Sequence, residues 1–239
     1  MPIKPINKGF LLSTNANESE VSEQWFSPEY WQSQDAIVTT KQGRTTTWFY
    51  RHNDSVYVLK HFRRGGLVGK ILSDQYLYTG LENTRVLKEF NLLQELRDKG
   101  LPAPEPEAAI VRVSGLIYRG SLITEAIPGA QSVCEICQKQ PLSDSQINEI
   151  STTLAKFHNA GVFHADLNIN NILFDDKGKA HLIDFDRGEL KQPDSSWQMN
   201  NIARLKRSFE KESGKWQSFH FSPETWEQLL ATYQEALAE

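Results

Sequence analysis

Residues 164–186 of this 239-residue chain read HADLNINNILFDDKGKAHLIDFD, and the polar residues in this stretch have a definite spacing. Asp166 is followed five positions later by Asn171. The segment 175–178, Asp-Asp-Lys-Gly, separates two short apolar runs and carries the residues that a hairpin turn requires. The sequence therefore predicts a loop, a β-hairpin and then an acidic segment that begins at Asp184.

A capped helix is predicted immediately before this loop. Ser143 and Gln146 have the spacing of a capping box, and apolar residues recur behind them at helical intervals until Gly161. The loop therefore lies between a long helix and the hairpin. A last helix is predicted to begin at Ser222-Pro223, because serine can cap its backbone amides and proline fits its first turn.

The first half of the chain has the pattern of an antiparallel sheet. Short apolar runs between polar turns predict strands at residues 37–38, 48–50, 56–59, 109–113 and 115–123. One helix is predicted between the third and fourth of these strands, and its apolar face consists of Val86, Phe90, Leu93 and Leu96.

Pro128-Gly129 is the predicted hinge between two lobes. We expect an α+β protein in which residues 1–127 form an N-terminal lobe with an antiparallel sheet and one long helix. Residues 128–239 are expected to form a mainly helical C-terminal lobe that contains the hairpin.

Helix, HxDxxxxN loop, hairpin and Asp-Phe follow one another as they do at a protein-kinase-like phosphotransfer centre. In such a centre one aspartate accepts the proton of the acceptor hydroxyl, and an asparagine and a second aspartate hold magnesium. We predict these roles for Asp166, Asn171 and Asp184 respectively. The alternative is that the polar residues of the loop only cap and turn it, while Asp184 ends a strand.

A lysine and a glutamate upstream complete this pattern. Lys60 ends the third predicted strand, the position from which a kinase lysine reaches the α and β phosphates of ATP. Glu89 stands beside Phe90 on the following helix, and we expect it to turn inward and pair with Lys60. The alternatives are a surface lysine on an edge strand and an exposed charge on the helix.

The bulk composition is that of an ordinary soluble globular protein, with 39% apolar and 23% charged residues and a net charge of −4. This charge gives no general attraction to nucleic acid. The first residues lack the apolar core of a signal peptide, and no stretch reaches the roughly 20 apolar residues of a membrane span. Cys134 and Cys137 have no second pair or nearby histidine to complete a zinc site, so we expect ordinary side chains.

Over most of its length the chain resembles the protein-kinase-like lipopolysaccharide core kinases. The similarity runs through GRTTTWFY, YVLKHFRRGG, HADLNINNILFDD, LIDFDRGEL and NNIARLKRSFEK. The resemblance implies a two-lobed protein-kinase-like fold. It also implies ATP- and Mg²⁺-dependent phosphorylation of the 4-hydroxyl of a 3-deoxy-D-manno-octulosonic acid (Kdo) residue on a Kdo-lipid A precursor, in lipopolysaccharide core biosynthesis. The expected location is the cytoplasmic face of the bacterial inner membrane, with peripheral membrane contact and no obligate protein partner.

The nucleotide-binding parts are assigned by analogy with kinases. Adenine is expected against backbone groups of Glu125 to Ile127, because Pro128 ends the strand there. The phosphate-covering loop is the weakest match, since Gly43 stands alone where several glycines are usual.

The chain also departs from protein kinases in ways that bear on the acceptor. Ala165 replaces the arginine that would bind a phosphorylated activation loop, which predicts an enzyme that needs no such switch. The segment between Asp184 and Trp197 is short and no Ala-Pro-Glu follows it, which favours a compact acceptor over a peptide. Asp186 replaces the glycine of Asp-Phe-Gly, and the sequence leaves open whether it meets metal or Arg187.

Three surface features have two interpretations each. Arg63 and Arg64 are predicted to bind the acidic acceptor near the membrane, or else form an exposed basic turn. The aromatic cluster of Trp25, Phe26, Tyr30 and Trp31 is expected to cap the N-terminal core, with lipid contact as the alternative. Lys206 and Arg207 are either a second anion contact or a solvated helix face.

Two rival functions remain open at the level of sequence. The first is the same chemistry on another acceptor, such as heptose, an aminoglycoside or a protein. The second is a pseudokinase, which should have lost one of the four residues Lys60, Asp166, Asn171 and Asp184. All four are present, which favours an enzyme.

Overall fold

The computed structural model describes residues 2–14, 20–42, 46–63 and 74–238. The chain divides into two compact units. Unit 1 comprises Met1–Gln94 and Glu105–Ala126, and unit 2 comprises Glu95–Pro104 and Ile127–Glu239. The short stretch 95–104, which the sequence pattern assigned to the N-terminal lobe, groups with unit 2.

An antiparallel sheet dominates the described part of unit 1. Its strands are β1 Ile3–Ile6, β2 Gly9–Ser13, β3 Ile37–Gln42, β4 Thr46–His52, β5 Ser55–His61, β6 Tyr76–Leu77, β7 Pro106–Ser114 and β8 Ile117–Glu125. Their order in the sheet is β1-β2-β7-β8-β5-β4-β3, and β6 pairs with β8. The antiparallel sheet predicted from the apolar runs is confirmed, and it begins with a hairpin, β1-β2, that the sequence pattern did not indicate.

Three helical segments and one long helix accompany this sheet. They are a 3-10 turn at Glu23–Phe26, α1 at Pro28–Ser33, a 3-10 turn at Leu81–Asn83 and α2 at Arg85–Asp98. The apolar face predicted for α2 is buried, because Val86, Phe90, Leu93 and Leu96 are at most 2% exposed. Gly100 ends the turn after α2 with φ of 70°, a conformation that favours glycine.

The aromatic cluster caps the core of unit 1, as the sequence favoured. Trp25, Phe26 and Trp31 are buried, and Trp31 stacks on Tyr50 with ring centroids 4.0 Å apart. The indole N–H of Trp31 donates to the carbonyl of Trp25 across 2.7 Å, so the polar edge of the ring is satisfied inside the core. Burial of these rings stabilises the sheet, because each aromatic side chain removes roughly 150–250 Å² of its surface from water.

Unit 2 is mainly helical, with short strands between its helices. Its elements are β9 Gln131–Ser132, α3 Val133–Cys137, α4 Asp144–Asn159, β10 Val162–Phe163, β11 Ile172–Phe174, β12 Ala180–Leu182, β13 Glu189–Leu190, α5 Ser195–Ser213 and α6 Pro223–Ala238. Strand β11 pairs antiparallel with β12 and with β9, and β10 pairs with β13.

Helix α4 has the capping box that the sequence predicted. The hydroxyl of Ser143 accepts from the backbone N–H of Gln146, and the Gln146 side chain accepts from the backbone N–H of Ser143. Such a cap is worth about 1 kcal/mol and fixes where the helix begins. The buried hydroxyl of Ser151 donates to the carbonyl of Leu229 across 2.9 Å and ties α4 to α6.

The predicted hairpin and the last helix are also present. Strands β11 and β12 flank the turn at residues 175–178, where Gly178 has φ of 78°. The Ser222 hydroxyl accepts from the N–H of Thr225 at the start of α6. The mixed α and β architecture with an antiparallel sheet is therefore confirmed. One predicted boundary was wrong, since Gly115 belongs to the turn before β8, with φ of 61°.

Cys134 and Cys137 lie in the short helix α3, where both thiols are buried and neither forms a disulfide. Burial raises the pKa of the Cys137 thiol to about 12, which keeps it protonated and unreactive near neutral pH. In the described ranges, no helix combines the length and the apolar character that crossing a membrane requires.

Candidate active site

His164 connects the predicted catalytic loop to the far end of the hairpin. Its ring Nδ1 accepts from the backbone N–H of Asp166 across 3.2 Å, and its Nε2 lies 2.9 Å from the carbonyl of Ile183. Because Nδ1 is an acceptor, Nε2 carries the proton and donates to that carbonyl. His164 is only 2% exposed, so this neutral imidazole acts as a fixed internal strut between the loop and the residue before Asp184.

Asn171 lies at the junction of the loop and the hairpin. Its side-chain Nδ2 donates to the backbone carbonyl of Asp166 across 3.0 Å, which closes the loop. The N–H of Ile183 donates to the backbone carbonyl of Asn171, also across 3.0 Å, and extends the pairing of β11 with β12 by one step. This bond joins Asn171 to the residue directly before Asp184, so it keeps the backbones of the two predicted metal ligands close together.

Asp184 has an exposed carboxylate, and the next residue, Phe185, has a buried ring. Phe185 is fully buried and stacks on Phe157 of α4 with centroids 5.8 Å apart. Asp184 is exposed and has φ of 62°, a left-handed conformation that aspartate tolerates better than most residues. The buried Phe185 ring thus holds the backbone next to Asp184 against α4.

These residues fit a magnesium site of the kinase type. An amide oxygen from Asn171 and a carboxylate from Asp184 are hard oxygen donors, the ligands that Mg²⁺ prefers. Within the described ranges, no group of three or more His, Cys, Asp and Glu side chains is placed to hold a metal ion. A kinase-type site does not need such a group, because the phosphates of the nucleotide supply the remaining ligands.

A cation that the sequence analysis did not identify contacts the predicted catalytic aspartate. Nη1 of Arg204 lies 3.1 Å from Oδ1 of Asp166, and about half of each side chain is exposed. Arg204 belongs to α5 and is 38 residues further along the chain than Asp166. The stretch NNIARLKRSFEK carries part of the resemblance to core kinases, but only the fold brings this particular arginine to the loop.

Helix α5 also binds the backbone of the catalytic loop. Asn201 accepts from the N–H of His164 and donates to its carbonyl, across 3.2 and 3.1 Å. One turn before Asn201, Gln198 donates to the carbonyl of His158, and two turns after it, the hydroxyl of Ser208 accepts from the N–H of Ile169. A face of α5 with polar residues at helical spacing therefore sets the path of the loop.

In unit 1, Lys60 and Glu89 form the ion pair that the sequence predicted. Nζ of Lys60 lies 3.1 Å from Oε1 and 3.2 Å from Oε2 of Glu89. The glutamate side chain is 3% exposed and the lysine side chain is 28% exposed. The buried carboxylate thus fixes a half-buried ammonium at the end of β5, next to the ring of Phe62.

The prediction that backbone groups of Glu125 to Ile127 are free to bind adenine is partly wrong. The N–H of Glu125 donates to the carbonyl of Glu105, and the N–H of Ala126 donates to the carbonyl of Val56, each across 2.8 Å. These two donors already have backbone acceptors, so the expectation that they are available to a nucleotide was wrong. The role predicted for Ile127 is unaffected by these bonds.

The remaining residues that the sequence singled out lie outside the described residues or at the protein surface, or concern the backbone after Asp184. Gly43 and Arg64 lie outside the described residues, whereas Arg63 is described and exposed. Lys206 lies 4.0 Å from Glu210 and faces the ring of Trp226, as on a solvated helix face. The backbone at Asp186 is not left-handed; Arg187 has that conformation instead, with φ of 62°.

The family of this chain follows from its similarity to known proteins. The model of the lipopolysaccharide kinase (Kdo/WaaP) family matches residues 28–233. The chain belongs to this family. The matched range contains every residue of the loop, the hairpin and the Lys60–Glu89 pair. Membership in a kinase family implies ATP as the phosphoryl donor.

Several curated proteins are similar to this chain over most of their length. A protein named 3-deoxy-D-manno-octulosonic acid kinase from Vibrio cholerae serotype O1 is 45% identical over 193 residues, 81% of this chain and 82% of the relative. A protein of the same name from Vibrio parahaemolyticus serotype O3:K6 is 46% identical to this chain over 80% of each sequence. In Haemophilus influenzae (strain 86-028NP) a protein of this name shares 38% identity over 95% of this chain and 96% of its own.

Proposed function

We propose that this protein transfers the γ-phosphoryl group of ATP to a hydroxyl of a Kdo residue on a Kdo-lipid A precursor, in lipopolysaccharide core biosynthesis. The observation that carries the proposal is the hydrogen-bonded unit of Asp166, Asn171 and Ile183, the residue before Asp184. It stands in a chain whose Vibrio and Haemophilus relatives are named 3-deoxy-D-manno-octulosonic acid kinases. The proposed acceptor is the 4-hydroxyl, as the resemblance to core kinases implies.

Asp166 is proposed to act as the proton acceptor. Its carboxylate is about half exposed, so an acceptor sugar can reach it from solvent. As the acceptor oxygen bonds to the γ-phosphorus, the bond from that phosphorus to the oxygen of the β-phosphate breaks and ADP leaves. The hydroxyl proton passes to Asp166. General bases of this kind typically contribute about 10²- to 10⁴-fold to the rate.

Asn171 and Asp184 are proposed to hold Mg²⁺. When bound, the ion neutralises charge on the nucleotide phosphates during transfer. The chain's own contribution is to fix the two ligands relative to Asp166. Asn171 does so through its amide hydrogen bond to the Asp166 carbonyl, and Asp184 through the buried Phe185 and the strut of His164.

Lys60 is proposed to bind the α and β phosphates, with Glu89 holding its ammonium in place. The order of strands, long helix, loop and hairpin supports a two-lobed protein-kinase-like fold for the whole chain. Gly43 is proposed to cover the phosphates, and the segment from Glu125 to Ile127 to receive adenine, with Ile127 now the proposed backbone donor because the N–H groups of Glu125 and Ala126 are already bonded.

The proposed location is the cytoplasmic face of the inner membrane, with peripheral contact. The reason is chemical, since the acceptor is anchored in a bilayer by its lipid and ATP is a cytoplasmic nucleotide. Arg63 is exposed and, together with Arg64, is proposed to meet the anionic groups of the acceptor at the membrane surface.

A transfer assay with defined acceptors tests the proposed function. Purified protein is incubated with γ-labelled ATP, Mg²⁺ and one of three lipids: the lipid A precursor alone, the precursor bearing Kdo, or a core lipid bearing heptose. Label should enter the Kdo-bearing lipid and should be absent with Asp166→Asn. Label in the heptose-bearing lipid alone would assign a different acceptor, and no transfer at all would support the pseudokinase.

A further inference from the structure

Arg204 lies on a helix that is hydrogen-bonded to the catalytic loop. Its guanidinium contacts Asp166 across 3.1 Å. On the same helix, Asn201 binds both backbone groups of His164, and Ser208 binds the N–H of Ile169. These bonds lie about one turn before and one turn after Arg204 and hold the loop on either side of Asp166. The packing of α5 on the loop therefore holds the backbone of Arg204 beside Asp166.

The guanidinium also has donors to spare. An arginine side chain carries five N–H donors in a planar fork, and the contact with Asp166 engages Nη1. The Arg204 side chain is 47% exposed and that of Asp166 is 48% exposed, so solvent, and with it an acceptor, can reach both groups. A planar fork of this kind matches a carboxylate, which can accept two parallel hydrogen bonds from it.

An acidic acceptor creates an electrostatic problem at this place. A Kdo residue is a sugar acid, and its carboxylate must come near the carboxylate of Asp166 when its hydroxyl reaches that base. Two carboxylates in one site repel each other and raise the cost of binding the acceptor in its ionised form. A cation shared by both carboxylates removes that cost. The neighbouring cation Lys206 faces Trp226 and Glu210.

We propose that Arg204 binds the carboxylate of the sugar-acid acceptor while it holds Asp166, and so selects an acidic over a neutral sugar. The inference rests on the proposed function and adds to it a residue that recognises the acceptor. One guanidinium would orient the base and the acid group of the acceptor together, which places the hydroxyl between them against Asp166.

A cycle that changes the arginine and the acceptor carboxylate together tests this inference. Wild type, Arg204→Ala and Arg204→Lys are compared on the Kdo-bearing lipid A precursor and on the same lipid with its Kdo carboxyl group methylated. The exposed Lys211, about two turns further along α5, provides the control Lys211→Ala. The readouts are kcat, KM for each acceptor and KM for ATP.

With the acid acceptor, Arg204→Ala should raise the acceptor KM about 10- to 100-fold, the range expected for a hydrogen bond between charged groups. The KM for ATP should stay unchanged. The methyl ester should be a poor acceptor for wild type by a similar factor, and Arg204→Ala should weaken it little further. Arg204→Lys, which keeps the charge, should recover part of the loss with the acid only. Lys211→Ala should behave like wild type.

Two results would overturn the inference, and they differ from a failure of the proposed function. If Arg204→Ala impairs the acid and the ester by the same factor, the arginine acts through Asp166 alone and does not recognise the carboxylate. If wild type uses both acceptors equally well, no group of the enzyme binds the carboxylate of the acceptor. Wild type that transfers nothing to the acid acceptor would instead refute the proposed function, and the inference would fall with it.

Discussion

The side-chain amide of Asn171 donates to the backbone carbonyl of Asp166 across 3.0 Å. One residue thereby serves two purposes, since the same amide group supplies a proposed metal ligand through its oxygen and closes the catalytic loop through its nitrogen. The proposed base and one proposed metal ligand are thus joined by a hydrogen bond. Loss of the Asn171 side chain is therefore expected to affect both proton transfer and metal binding.

Asp166→Asn should nearly abolish turnover while leaving ATP binding intact. The amide keeps the shape of the side chain but cannot accept the proton of the acceptor, so kcat should fall about 10²- to 10⁴-fold. Steady-state kinetics give kcat, and calorimetric titration gives the affinity for ATP. Turnover within a few-fold of wild type would mean that another group takes the proton.

Asn171→Ala should raise the Mg²⁺ concentration that half-maximal activity requires. The substitution removes an oxygen ligand and also the hydrogen bond to Asp166, so kcat at saturating Mg²⁺ should fall as well. The check is activity as a function of Mg²⁺ concentration.

Asn170→Ala is the matched control for Asn171→Ala, because it is the same change one position earlier at an exposed side chain. Its Mg²⁺ dependence should match that of wild type. Equal effects of the two substitutions would show that the loop tolerates no alanine, and that Asn171 has no particular role with the metal.

Lys60→Met should reduce both stability and activity. The substitution leaves the buried carboxylate of Glu89 without its ammonium partner, which should cost about 2–3 kcal/mol, less than a fully buried pair because Lys60 is partly exposed. The double variant Lys60→Met/Glu89→Leu should regain most of the stability and remain inactive. Urea unfolding and kinetics measure the two properties separately.

The exposed pair of Lys99 and Glu95, in and just after the same helix, provides the comparison. Lys99→Met should change the free energy of unfolding by less than about 1 kcal/mol and leave activity unchanged, because both partners are solvated. If Lys60→Met costs no more than Lys99→Met, the buried pair does not contribute to the stability of unit 1. If the double variant is active, Lys60 does not bind the phosphates.

Stability should fall on acidification because of His158. Burial lowers the pKa of this imidazole from 6.5 to about 4 in the folded state. Between these values the unfolded chain binds a proton that the folded chain does not, so stability is lost as the pH falls from about 6.5 to 4, by on the order of 3 kcal/mol. Chemical unfolding at a series of pH values measures this slope.

His158→Gln separates this contribution from general acid denaturation. The ring nitrogen Nδ1 of His158 lies 2.6 Å from the hydroxyl of Tyr233, and glutamine can still offer that hydroxyl a hydrogen bond. The variant should be less stable near neutral pH and should lose stability less steeply between pH 6.5 and 4. An unchanged slope would assign the acid sensitivity to other groups.

The catalytic loop could be predicted because its signals are local. Asp166, Asn171 and the turn at 175–178 lie close together in sequence, and their spacing alone indicates a loop followed by a hairpin. The pair of Lys60 and Glu89 spans 29 residues, yet it could be inferred because one residue ends a strand and the other sits on the apolar face of the next helix. Both inferences use the geometry of a single element at each end.

What the sequence did not reveal depends on packing between distant elements. Arg204 is one of several cations on an amphipathic helix, and the packing of that helix on the loop, with hydrogen bonds from Asn201 and Ser208, brings it to Asp166. The acceptors for the N–H groups of Glu125 and Ala126 come from Glu105 and Val56, far away in sequence. A polar residue every third or fourth position along α5 was the available signal, and it becomes specific only when the partner loop is known.

Mass spectrometry of the product formed from ATP and the Kdo-bearing lipid A precursor tests the central claim most directly. Fragmentation locates the added group on the acceptor. The account predicts one new phosphoryl group, carried by oxygen 4 of the Kdo residue and absent from the product of Asp166→Asn. A phosphoryl group on heptose, on the glucosamine disaccharide or on a protein side chain, or an equal yield from Asp166→Asn, would contradict it.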